Sequence, residues 1–302
     1  MDCAAGMPKY SVMTETSSKL EFLRGVPIVG ETLANALDSA PTVGVLRLSG
    51  IIGSSGMGRR TGLALTEQAS SIERVFKLSR LKAVALAINS PGGSPVQSAL
   101  LAGRIRQLAE ENEIPVYAFC EDVAASGGYW LACAAEEIYA DPASIVGSIG
   151  VVSTGFGFTD MLEKIGVERR IHTSGEKKGM LDPFVPEVED DLERLREIQE
   201  DIHEQFKDYV RKRRGTKLTA SEDMLFSGEF WTGRRSQELG LIDGLGDLRS
   251  VMREKYGEKV NLHLVGGRKR FGLGRLLGGQ ADLVDQGVAA LEYRAYWSRF
   301  GL

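Results

Sequence analysis

KAVALAINSPGGS (82–94) and IPVYAFCEDVAASGGYWLACAAEEIYA (114–140) decide the fold. Each stretch opens on a run of consecutive apolar residues, Lys82–Ile88 and Ile114–Cys120, rather than on an alternating pattern. Such runs mark strands covered on both faces, as in a parallel sheet. Each run leads into a glycine turn, Asn89–Ser94 and Ala124–Tyr129. A helical segment follows each turn, over Val96–Asn112 in the first case and up to Ala135 in the second. Strand, tight turn and returning helix form the crossover unit of α/β proteins.

The same alternation extends outward. Val43–Ile52 (VGVLRLSGII) is β-branched and alternating, a strand, and Gly53–Gly62 is a loop. Thr66–Leu78 carries Ala69, Ile72, Val75 and Phe76 on one face, a helix with Thr66 as its N-cap. Glu137–Ala140, Val167–Thr173 and Val260–Val265 read as further strands. Glu187–Arg214 reads as a long charged helix with Leu192, Leu195, Ile198, Ile202, Phe206 and Tyr209 on one stripe. Ser221–Leu248 is helix and turn. The expected organisation is an extension over 1–41, one α/β domain over 42–265, and a basic amphipathic helix or tail over 266–302.

Composition narrows the function. The chain has 302 residues, with 37 Lys+Arg against 41 Asp+Glu, a net charge of −4. No positive excess is available to neutralise phosphates, so nucleic acid is not an expected partner. Cys3, Cys120 and Cys133 form no CxxC pair, and His172, His203 and His263 are scattered. Neither a disulfide framework nor a zinc site of ordinary spacing is expected. No GxxxxGK[ST] loop occurs, no stretch has the form of a signal peptide, and no window reaches the ~18 apolar residues of a membrane span. The chain therefore reads as soluble and cytoplasmic. Arg268, Lys269, Arg270 and Arg275 precede apolar residues at near-helical spacing from Leu276 to Phe300. That pattern suits either a helix docked on protein or a peripheral membrane contact.

The two glycine turns carry the chemistry. In α/β sheets ligands gather at the carboxyl ends of strands. Paired glycines, Gly92-Gly93, let backbone N–H groups face a cavity, and two such donors make an oxyanion hole. Ser126 lies between small residues at a strand-to-helix turn, where the N–H of Gly127 supplies the second donor. A nucleophilic Ser needs a base. His172 ends the Val167–Thr173 strand segment and is the only His placed for it. The segment SGEKKGML (174–181) offers Lys177 and Lys178, of which at most one points inward. A Lys acts as base only when neutral, which requires desolvation.

Four stretches occur in a familiar order: NSPGGS (89–94), AASGGYWLACAAEEIYADPASIVGSIGV (124–151), SGEKKGMLDPF (174–184) and FSGEFWTGRRSQELGLIDGLG (226–246). Over about residues 42–265 the chain resembles the signal peptide peptidase A family, the SppA-like and SohB-like serine peptidases of the ClpP/crotonase fold. The resemblance implies a parallel β-sheet core with crossover helices and a helical extension. It implies an ATP-independent Ser/Lys dyad, with Ser126 as nucleophile and Lys178 as base, and no cofactor. The oxyanion donors it implies are Gly93 or Gly92 together with Gly127, and Ser148 or Ser144 would orient the Lys. It further implies peptide substrates with small or apolar residues, including signal peptide remnants, and homo-oligomeric rings or domes. Members are commonly anchored by an N-terminal span, which this chain lacks. Two other readings share the fold: a crotonase-like acyl-CoA enzyme, and a catalytically inactive scaffold.

Overall fold

The computed structural model describes residues 40–53, 63–266 and 294–301. Its centre is an eight-stranded sheet of β1 (Thr42–Ser49), β2 (Leu81–Ser90), β3 (Val116–Ala125), β4 (Glu137–Ala140), β5 (Ile145–Gly147), β6 (Phe230–Thr232), β7 (Gly244–Leu245) and β8 (Asn261–Val265). The main path runs β6-β5-β3-β2-β1-β8, and β4 joins β3 to β7. Every pairing is parallel except β5 with β6. This is the expected α/β class, with a parallel core and crossover helices.

Three helices cover one face: α1 (Leu65–Phe76), α2 (Pro95–Asn112) and α3 (Gly127–Ala132). Between them and the sheet lie Leu46, Leu86, Ile88, Ile105 and Ile138, all buried. Each such side chain contributes about 1.5–3 kcal/mol when taken fully out of water. The chain continues through α4 (Thr159–Ile165), α5 (Glu189–Arg214), α6 (Glu222–Leu225) and α7 (Gly233–Glu238) to α8 (Leu248–Tyr256). Helix α8 covers the opposite face, setting Val251 and Met252 against Val43, Ala85 and Phe119.

Three local expectations need correction. Val167–Thr173 is exposed and irregular, not a strand. It has no neighbouring strand to pair with among the described residues. Thr66 lies inside α1, whose N-cap is Ala64 with no side-chain cap of its own. Gln97 from α2 instead accepts the Leu65 N–H at 2.9 Å. The stripe on α5 is buried only toward its end, at Phe206, Val210 and Arg214. Ser94 caps α2, accepting the Gln97 N–H, with Pro95 in the first turn.

The extension over residues 1–39, most of the Gly53–Gly62 loop, and the basic stretch 267–293 lie outside the described residues. Residues 294–298 are helical. There Trp297 is buried against Val123 and Ala125, with Phe300 packed alongside. The described end of the C-terminal segment therefore docks on its own domain. No helix among the described residues is long and apolar enough to cross a membrane.

Cys120 and Cys133 are buried and unbonded to each other. Burial, then the neighbouring Cys133, pushes the Cys120 thiol up to about 12, and burial pushes Cys133 up to about 11. A thiolate is the reactive form. Iodoacetamide at neutral pH should therefore alkylate neither cysteine in the native protein and both after unfolding. Native labelling of either would contradict this packing.

Candidate active site

Strand β3 carries the site. It pairs on one side with β2, through Ala124 opposite Ser90, and on the other with β5, through Ala125 opposite Gly147. The chain then turns abruptly at Ser126, which has φ 52° and ψ −123°. A residue with a Cβ pays about 1–3 kcal/mol for such a conformation. The surroundings enforce it. The Ser126 N–H donates to Gly147 O at 2.8 Å, and the Ser126 carbonyl accepts the Trp130 N–H at 3.0 Å in the first turn of α3. A partly exposed Ser on a strained strand-to-helix turn has the backbone geometry of a nucleophile elbow.

The first glycine turn lies directly against it. A Cβ on Gly92 would fall 2.8 Å from Ser126 Cβ and 3.0 Å from Gly127 N. A Cβ on Gly127 would fall 2.4 Å from Ser98 Oγ. Only glycines let the two turns approach this closely. Gly93 has φ 142° and is pressed on Ile52. It is held there by Ile52 N–H donating to Gly92 O and Ser94 N–H donating to Ile52 O, both at 2.8 Å. The Gly92 N–H is taken by Ser90 Oγ at 3.2 Å. Among the described residues, Gly93 N–H makes no hydrogen bond. Gly127 N–H is in the first turn of α3, where no intrahelical acceptor exists. Gly92, Ser126 and Gly127 thus lie against one another, with Gly93 next along the first turn.

The Lys segment stands differently. Residues 151–188 project many apolar side chains outward, and Lys178 is exposed in a turn whose Lys178 N–H donates to Gly175 O. Among the described residues no hydrogen bond links Lys178 to Ser126. Lys177 pairs with Asp190 at 3.3 Å and lies 4.0 Å from Asp191. Its ammonium is committed to α5, whereas that of Lys178 makes no ion pair among the described residues. His172 is exposed in the same segment. His203 is engaged elsewhere, with Nε2 3.1 Å from Ile149 O. Ser144 Oγ donates to Cys120 O and accepts the Asp141 N–H, each at 3.1 Å, which fixes it as a turn residue. Ser148, just past Gly147 at φ 53°, makes no such side-chain bond among the described residues. Among the described residues no cluster of His, Cys, Asp and Glu could hold a metal.

Residues 109–262 match the family described as peptidase family S49. The chain belongs to peptidase family S49. The matched span runs from the end of α2 to β8 and so contains Ser126 and the whole Lys segment. Among relatives, a putative signal peptide peptidase SppA of Enterococcus faecium is 29% identical over 76% of this chain and 67% of its own length. A putative protease of Synechocystis sp. is 32% identical over 67% of this chain and 73% of its own length. A Brucella abortus protein named Na(+)/H(+) antiporter NhaA is 50% identical over 85% of this chain. The match covers 36% of that Brucella protein, so this S49 chain spans about a third of its length.

One feature of this S49 site escaped the sequence reading. Arg213, in a run of basic residues that reads as a solvated helix end, donates through Nε to Cys133 O at 2.7 Å and through Nη2 to Ala135 O at 2.9 Å. Position in a charge run gives no hint of partners some 80 residues earlier in the chain.

Proposed function

We propose that this S49 peptidase cleaves peptide bonds through Ser126 as nucleophile and Lys178 as general base. The observation that carries the proposal is the strained Ser126–Gly127 turn packed against the Gly92–Gly93 turn, with the Gly93 and Gly127 N–H groups unbonded among the described residues. Neutral Lys178 takes the proton from Ser126 Oγ as Oγ bonds to the scissile carbonyl carbon. The carbonyl oxygen becomes an oxyanion, and Gly93 and Gly127 N–H groups hold it. Gly92 is the weaker candidate because Ser90 Oγ already accepts its N–H. Collapse breaks the C–N bond, and protonated Lys178 gives its proton to the leaving amine. Water then hydrolyses the acyl-serine with Lys178 again as base. Ser148 suits the role of orienting Lys178 better than Ser144, whose hydroxyl is committed to the turn.

An exposed ammonium is a poor base, so Lys178 needs cover. Phe156 at 81% exposure and Ile165 at 61% favour a second copy of the chain packing over this segment, in a homo-oligomer. Membership in a peptidase family favours hydrolysis over acyl-CoA chemistry. The substrates would be extended peptides with small or apolar side chains, signal peptide remnants among them. Its place would be the cytoplasm, in peripheral contact with a membrane; the likeness to a stretch of a Brucella protein named as an antiporter favours only the nearness to a membrane. No ATP is required.

A fluorophosphonate probe tests the nucleophile. It should label the protein stoichiometrically, and peptide mapping should place the adduct on Ser126. Neither labelling nor peptide-ester hydrolysis at any pH would instead make the chain an inactive scaffold.

A further inference from the structure

Helix α5 grips the supports of Ser126 from two sides. From this geometry we infer that Arg213 is a positioning residue for Ser126 and Gly127, an inference that rests on reading Ser126 as the nucleophile. Helix α3, which opens on Ser126 and Gly127, has only six residues. A helix that short has no stability of its own, and its direction must be set from outside. The fork of Arg213 sets it by holding Cys133 O and Ala135 O, two carbonyls at and just beyond the α3 C-terminus. A cation there also suits the helix dipole. The far end of α3 is only about 9 Å away at 1.5 Å per residue. A tilt at the fork therefore moves Gly127 N–H, the proposed oxyanion donor.

Two further contacts lie on the same face of α5. Trp130, in the middle of α3, stacks on Phe206 at 4.7 Å and on Tyr209 at 5.4 Å between ring centroids. His203 Nε2 lies 3.1 Å from Ile149 O, two residues past Gly147, whose carbonyl accepts the Ser126 N–H. Positions 203, 206, 209 and 213 recur at three- and four-residue spacing, one stripe of the helix. The same helix begins at Glu189, directly after the segment bearing Lys178. One continuous element thus runs from the base segment to the nucleophile helix. Arg213 touches no reacting atom and acts through α3. Its neighbour Arg214 is different: it is buried, paired with Asp243 at 2.6 Å and bonded to Gly240 O, and it holds the core.

The test is Arg213→Ala, assayed with a peptide ester and with the fluorophosphonate probe. We expect kcat and the labelling rate to fall about tenfold, with KM within about twofold, since a small misplacement of a catalytic group costs rate rather than binding. Millimolar guanidinium should restore most of the lost kcat by refilling the site between Cys133 O and Ala135 O. Arg213→Lys, which keeps one donor where the fork has two, should fall between. Arg194→Ala, exposed on the same helix and paired only with Glu197 among the described residues, should behave as wild type. Wild-type kcat in Arg213→Ala overturns the inference. So does a loss that neither guanidinium nor Arg213→Lys recovers at all. Ser126→Ala is run in parallel. If it still takes the probe, the nucleophile reading fails. If it is unlabelled while Arg213→Ala labels at the wild-type rate, only the positioning role fails.

Discussion

Ser126→Ala should lower kcat/KM for a peptide ester by at least about 10⁴-fold, because nothing else at the β3–α3 turn can form the acyl-enzyme. Lys178→Ala should cost a comparable factor, and the double variant little more than either, since nucleophile and base act as a unit. Lys177→Ala should leave most activity, because that ammonium is paired with Asp190 outside the site. Loss in Lys177→Ala with retention in Lys178→Ala would reverse the assignment of the base. The rate should climb toward alkaline pH, as only a neutral amine accepts the proton. A second readout is independent of activity. At φ 52° and ψ −123° a Cβ is strained, and glycine is not. Ser126→Gly should therefore be more stable than Ser126→Ala by about 1 kcal/mol, while equally dead. If Ser126→Gly melts below Ser126→Ala, the turn is not under the strain ascribed to it.

Gly93→Ala should be the most damaging single-methyl change in the site. The added Cβ would sit 2.1 Å from Ile52 O and 2.8 Å from Ile52 N, both backbone atoms that no rotamer change can move. It would also force an L-residue to φ 142°. Relief means parting the Ile52 bridge, with loss of two backbone hydrogen bonds at about 1 kcal/mol each on top of the strain. The sum is about 3–5 kcal/mol, or a fall in Tm of roughly 10 °C for a domain of this size. Activity should vanish with the displaced N–H. Gly103→Ala is the matching control. Gly103 lies in α2 with nothing within 4 Å of its Cβ position, so the change should stabilise by up to about 1 kcal/mol. A Gly93→Ala protein that melts with wild type would mean that the turn is free of Ile52.

The parts of this protein legible in its sequence share one property. Strands β2 and β3 are covered on both faces, so they appear as unbroken apolar runs, and their glycine turns punctuate them. Ser126, Gly92, Gly93 and Gly127 were legible for the same reason, since each follows such a strand. Where the sequence misled, the deciding partner was remote. Val167–Thr173 reads as a strand, but no strand lies beside it among the described residues. Strand β6 has three residues and exists because it pairs with β5 across the intervening α4, α5 and α6, while β5, also of three residues, is held between β6 and β3. Helix α1 takes its N-terminal acceptor from Gln97, 32 residues later.

The sequence by itself determined the α/β class, the parallel run of the central strands, and the residue types at the two turns. These follow from periodicity, burial and glycine sterics, all of them local. Only the tertiary structure decided that Gly92 touches Ser126, that Ser90 occupies the Gly92 N–H, that Lys177 is committed to Asp190, and that Arg213 holds the far end of the nucleophile helix. The Gly92–Ser126 and Arg213–Cys133 contacts join residues dozens of positions apart, and even a short-range hydrogen bond such as Ser90 to Gly92 leaves no mark in the sequence around either of its ends.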